Sequence, residues 1–66
     1  MDKVIAAELY RNAADQGHAE AQCSLGYAYW YGHGVPIDKE AALEWWRKAA
    51  AQGHKNAQYC TSVLVS

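Results

Sequence analysis

The stretch Gln16-Gly17-His18-Ala19-Glu20-Ala21-Gln22 returns further along the chain as Gln52-Gly53-His54-Lys55-Asn56-Ala57-Gln58. The offset is about 36 residues, within the range of helical repeats. Extending the same offset outward keeps the register. Asp2-Lys3 falls on Asp38-Lys39, Ala6 on Ala42, Glu8 on Glu44, Arg11 on Arg47 and Ala13-Ala14 on Ala49-Ala50. Leu9 and Tyr10 meet Trp45 and Trp46, which preserves bulk and apolar character. So many matches at a single offset identify a duplication, with a first copy at about 1–36 and a second at about 37–66.

Each copy reads as two helices. Ala6, Leu9, Tyr10, Ala13 and Ala14 recur at the three-and-four spacing of an amphipathic helix, with Glu8, Arg11, Asn12 and Asp15 on its other side. Gly17 is placed to end that helix in the left-handed conformation of a C-cap. A second helix is expected from His18 or Ala19 to Tyr31, with Leu25, Ala28 and Tyr29 on one side. Gly32-His33-Gly34-Val35-Pro36 breaks it, because two glycines and a proline do not sustain a helix interior. Asp38 then caps a third helix carrying Ala42, Trp45, Trp46, Ala49 and Ala50, which Gly53 ends. A fourth helix starts near Lys55. Short turns force neighbouring helices antiparallel, so the expected fold is all-α: one αα-hairpin stacked on another. Gly26, inside a helix, costs about 1 kcal/mol relative to alanine. A neighbouring helix approaching closely at that point explains it.

Composition narrows the function. The formal net charge is −1, and no run of Lys or Arg makes a basic stripe, so a phosphate-tracking nucleic-acid surface is not expected. No segment approaches the roughly 20 apolar residues of a membrane span, and the opening residues lack the apolar core of a signal peptide. Cys23 and Cys60 are too few to form a disulfide framework and read as partly buried free thiols. His18, His33 and His54 have no metal-ligand spacing with each other or with the cysteines, so no metal or cofactor is expected. His18 and His54 precede helices, where a polar side chain satisfies free amides. Gly32-His33-Gly34 lacks the preceding strand and the lysine of a phosphate loop. No local Ser-His-Asp or Cys-His arrangement suggests an enzyme.

These residues resemble the Sel-1-like repeats, a branch of the tetratricopeptide-type α-solenoids. The resemblance is carried by Ala21-Gln22, Leu25-Gly26, Tyr29, Gly32, Gly34 and Val35. It continues through Asp38, Ala42, Trp45, Ala49-Ala50, Gln52-Gly53 and Ala57-Gln58. It implies a short right-handed α-α superhelix that mediates protein–protein contacts and carries no catalytic residues. It also implies a family whose members are often periplasmic, secreted or in the secretory pathway; the compartment of this chain stays open. After Tyr59 the family pattern asks for Leu-Gly, whereas the chain has Thr61-Ser62 and reads on to Val65-Ser66. The last helix is therefore either a degenerate terminal cap or part of a truncated array.

The aromatics point to a binding surface. Tyr29 and Trp45 occupy core positions of the repeat, but Tyr27, Trp30 and Tyr31 fall where the pattern is unconstrained. Tyr27 and Tyr31 lie about 200° from Leu25 and Tyr29 around the helix. Tyrosine and tryptophan outside a core are the types enriched at binding hot spots. Tyr27, Trp30 and Tyr31 are thus the candidate contacts for a protein or peptide partner, with packing against the next repeat as the competing role. A second expectation is self-association. Repeat architectures normally need about three or more units, so two repeats leave both ends able to bind another copy.

Overall fold

Glycine and its flanking alanines set where the helices stop. In the first copy the Gly17 amide donates to Ala14 and the His18 amide to Ala13; in the second, Gly53 donates to Ala50 and His54 to Ala49. This paired closure is a Schellman motif, and it requires a residue in the left-handed region. Gly17 and Gly53 supply it at φ 92° and 89°. The computed structural model describes residues 3–64, and within them four helices follow one another: α1 (Lys3–Asp15), α2 (Ala19–Tyr31), α3 (Lys39–Ala51) and α4 (Lys55–Leu64). Asp2, the counterpart of the capping Asp38, and the terminal Val65-Ser66 lie outside the described residues. Asp38 accepts from the Ala41 amide at 3.1 Å, satisfying one of the free donors at the start of α3. His54 does the same for α4, its Nδ1 accepting from Ala57 at 3.3 Å. His18, in the equivalent place before α2, makes no such side-chain bond.

Each helix packs on its sequence neighbour, so α2 lies between α1 and α3. This explains why α2 has no simple apolar stripe: Ala21, Gln22, Cys23, Leu25, Gly26 and Ala28 are all buried, and they cover more than one face. Leu25 and Ala21 close against Ala14 of α1, with Tyr29 and Trp45 beside them. On the opposite side, Cys23 joins Ala42, Trp46, Ala49, Ala57 and Cys60 in a second cluster.

Trp46 is the largest fully buried side chain, and Gly26 makes room for it. A Cβ built on Gly26 would stand 2.4 Å from the indole nitrogen, well inside contact distance. The same nitrogen donates to the Cys23 carbonyl at 3.1 Å, so the indole is both packed and hydrogen-bonded. The glycine inside α2 is therefore a seat for tryptophan, as its helix-weakening cost suggested.

Side-chain amides repeat along with the apolar residues, buried at Gln22 and exposed at Gln58. Gln22 donates from its side chain to the Ala14 carbonyl at 3.1 Å, and Gln58 donates to the Ala50 carbonyl at 3.2 Å. Gln52 donates to Gln22 Oε1 at 2.9 Å, tying the second copy to the first. No buried side-chain nitrogen or oxygen among the described residues lacks a partner.

The first helix departs from expectation. Leu9 and Tyr10, read from periodicity as core, are exposed, and the buried positions of α1 are Ala7 and Ala14. Tyr10 is 44% exposed, whereas its counterpart Trp46 is 0% exposed. Trp46 is covered by α2, whereas among the described residues no helix stands over Tyr10 as α2 stands over Trp46.

Gly26→Ala would strengthen an isolated helix by about 1 kcal/mol. Here it is expected to destabilise the fold by about 1–3 kcal/mol, because the buried indole must yield. Trp46→Ala should cost about 3–5 kcal/mol, enough to unfold so small a domain. Urea unfolding followed by far-ultraviolet circular dichroism measures both; a Gly26→Ala protein more stable than the parent would contradict the close approach.

Candidate functional site

The three aromatics singled out at the end of α2 do not share one role. Tyr27 turns towards the second copy: its ring meets Trp46 edge-on at 5.2 Å, and its hydroxyl lies 3.1 Å from Cys60 Sγ on α4. Trp30 is half-buried against the same indole, ring centres 5.3 Å apart, and Lys39 Nζ sits 4.9 Å over its outer face. Tyr31 points outward and is 58% exposed. It stacks on Tyr27 at 6.4 Å and on His33 at 5.7 Å, which lines up three rings along one edge. Packing against the next helix thus claims Trp30 and much of Tyr27, while Tyr31 keeps a free face.

Beside this row lies a cleft of about 280 Å³ between the first two helices. Ala6, Ala7 and Tyr10 of α1 form one wall, and Ser24, Tyr27 and Ala28 of α2 form the other, with His33 at the rim. Its lining is mostly alanine methyls and aromatic edges, and the Ser24 hydroxyl is a polar group able to fix orientation. Such a pocket, largely apolar with a few polar groups, suits an apolar or aromatic side chain. Neither Tyr10 nor Ser24 was singled out for a site from the sequence. Periodicity places Tyr10 in the core, and Ser24 is marked only as the counterpart of Cys60, whose Sγ the Tyr27 hydroxyl meets.

The thiols are shielded rather than reactive. Cys23 and Cys60 are both buried and unpaired with each other. Burial pushes the Cys23 thiol from its ordinary 9.0 up to about 11, helped by the nearby Cys60 and Glu20. The hydrogen bond to Cys60 raises the Tyr27 phenol from 10.0 to about 12, with burial adding to it. Nucleophilic cysteines have the opposite displacement. Among the described residues, no group of three His, Cys, Asp or Glu side chains is arranged to hold a metal ion. Among them, too, no helix is long and apolar enough to cross a membrane.

Both raised groups are acids whose protonated form the fold favours. Their contribution is complete below the unfolded values and is lost as pH climbs through roughly 9 to 12. Alkaline unfolding should therefore steepen across that window. Tyr27→Phe is expected to remove the upper part of the loss and leave the Cys23 limb that starts near 9. Fluorescence-monitored unfolding against pH reads this directly; identical alkaline limbs in parent and variant would remove Tyr27 from the coupling.

Comparison with known proteins returned one family. A profile described as Sel1 repeat matches residues 2–18 and 19–54, the longer match running through α2, the following loop and α3. No curated protein and no solved structure matches the chain at a significant level.

Proposed function

The chain belongs to the Sel1 repeat family, and on that premise we propose that it works as a protein-binding module with no catalysis of its own. Repeats of this family are non-catalytic scaffolds that generally mediate protein–protein interaction. The observation that carries the reading to particular residues is the ring row on α2: Tyr31 outermost, stacked between Tyr27 and His33, next to the apolar cleft. The row is backed by Trp46, on which Tyr27 packs edge-on. Its outer face is therefore presented with little further loss of side-chain freedom, the condition under which tyrosine contributes most to binding. Partners of this surface are proteins or peptides offering apolar side chains.

Tyr31→Ala tests this cleanly, because Tyr31 is exposed and its removal leaves the Trp46 cluster intact. Affinity for a captured partner is expected to fall by about tenfold or more. Trp30→Ala should weaken binding and also lower stability, since Trp30 packs on Trp46. Partner binding unchanged by both substitutions would exclude this surface.

The ends favour a second reading, self-association. Val4, Ile5, Leu9 and Tyr10 are exposed at one end, and Tyr59 and Val63 at the other. In a linear stack these are the surfaces a further unit covers. Light scattering should then show mass rising with concentration; a monomer at millimolar concentration would defeat it.

A further inference from the structure

The rings at the end of α2 form a ladder with a defined spacing and a defined set of free donors. Tyr27 and Tyr31 are stacked within 11° of parallel at 6.4 Å, and His33 continues the row 5.7 Å from Tyr31. The two tyrosines are one helical turn apart, so α2 itself sets their separation. His33 is fixed by the loop instead. Gly32 and Gly34 hold left-handed backbone on either side of it, at φ 75° and 80°, and its amide donates to the Ala28 carbonyl at 2.9 Å. Among the described residues, no carboxylate, ammonium or guanidinium group belongs to the row or to the cleft wall beside it. The Tyr31 hydroxyl and the His33 imidazole N–H have no acceptor there either.

Peptides are recognised by adding a strand to a sheet edge, by laying a helix in a groove, or by docking a polyproline II segment on aromatic rings. Strand addition needs a sheet edge, and the described residues contain helices and no strand. A guest helix satisfies its own carbonyls and leaves the two free donors of the row unused. A polyproline II segment has no internal hydrogen bonds, so its carbonyls remain free to accept. Its dimensions also match. Two of its residues advance about 6.2 Å, against ring spacings of 6.4 and 5.7 Å. With three residues per turn, two of every three lie on the docked face, so residues two apart both reach the rings. We propose that the Tyr27–Tyr31–His33 row docks a proline-rich segment of a partner protein in the polyproline II conformation. Its pyrrolidine rings pack on the aromatic row, and the Tyr31 hydroxyl and His33 imidazole donate to its carbonyls. The inference rests on the binding-module reading and names the class of peptide that the row takes.

Both sides of this contact are ordered in advance. Proline fixes its own φ, so the guest loses little freedom on docking, and the stacked rings lose little more. The negative faces of the rings attract the C–H bonds beside the proline nitrogen. The probe is an acetylated, amidated decaproline, titrated into the full chain and followed by calorimetry. Saturable binding at one site is expected. Tyr31→Ala should weaken it by about tenfold or more. Tyr31→Phe and His33→Ala should each weaken it by roughly three- to tenfold, the worth of one hydrogen bond. Tyr59→Ala removes an exposed ring of α4, outside the row, and should leave binding unchanged. All-D decaproline winds in the opposite hand and should bind about tenfold more weakly, or not at all. Circular dichroism confirms that Tyr31→Ala is folded, and Tyr31→Phe serves if it is not.

Absence of saturable binding overturns the proposal, as does equal affinity for the two hands of decaproline. So does binding indifferent to the Tyr31 and His33 substitutions, or an oligomer of the chain that Tyr31→Ala disperses, which would place a second copy on the row. Failure of decaproline while Tyr31→Ala still impairs partner capture removes this inference and leaves the module reading standing. Decaproline held through Tyr31, with capture of a protein partner unaffected by Tyr31→Ala, supports the inference and removes the row from that partner's interface.

Discussion

The Trp46 indole lies on the bare backbone of Gly26, and the second half of the molecule is arranged around that contact. Burying a side chain of this size removes about 150–250 Å² from water. At roughly 25 cal/mol per Å² that is at most about 4–6 kcal/mol, comparable to the whole stability of a domain this small. The largest residue thus occupies the site with the smallest neighbour, which brings α2 and α3 close enough for the indole nitrogen to reach the Cys23 carbonyl. Tyr27 and Trp30 close over it, and Tyr27 reaches on to Cys60 of α4, so one contact organises three helices.

Polar groups impose register on an interior rich in alanine. Alanine surfaces slide past one another with little preference, because they carry no shape to interlock. The glutamine amides supply the missing direction: Gln22 on Ala14 and Gln58 on Ala50 fix each hairpin, and Gln52 on Gln22 fixes one hairpin to the next. Gln22 is the buried one of the three, and a buried amide left unpaired costs about 1–3 kcal/mol, so a shifted register is penalised chiefly there. Nearest-neighbour ties of this kind are what make repeat proteins quasi-one-dimensional.

That one-dimensionality also shapes the functional surfaces. Every copy has a receiving side and a giving side, and inside the chain these meet as α3 with α2. Between α1 and α2 lies a cleft lined by Ala6, Tyr10 and Ser24, while α4 carries Ser62 and Val63 where α2 carries Gly26 and Tyr27. The two ends are therefore chemically unequal. Tyr31 belongs to neither face of the stack, and its exposure follows from its place at the last turn of α2, just before the glycine loop.

Much of this was legible in the residues themselves. The offset of the Gln-Gly-His segments made the repeat readable, the glycines placed the helix ends, Asp38 was readable as a cap, and Gly26 signalled a close approach. These features are local: a backbone that must turn left-handed, or a first-turn amide that needs an acceptor, constrains the residue whatever surrounds it. Tertiary structure alone decided which apolar positions were covered. Tyr10 and Trp46 share one place in the pattern, yet one is exposed and the other sealed, because burial depends on whether a preceding helix is present and not on the periodicity of the helix that carries the ring. The same reason divided Tyr27 and Trp30, drawn inward by Trp46, from Tyr31, and made a cleft of Ser24 and Ala6, residues too ordinary to be noticed until two helices brought them together.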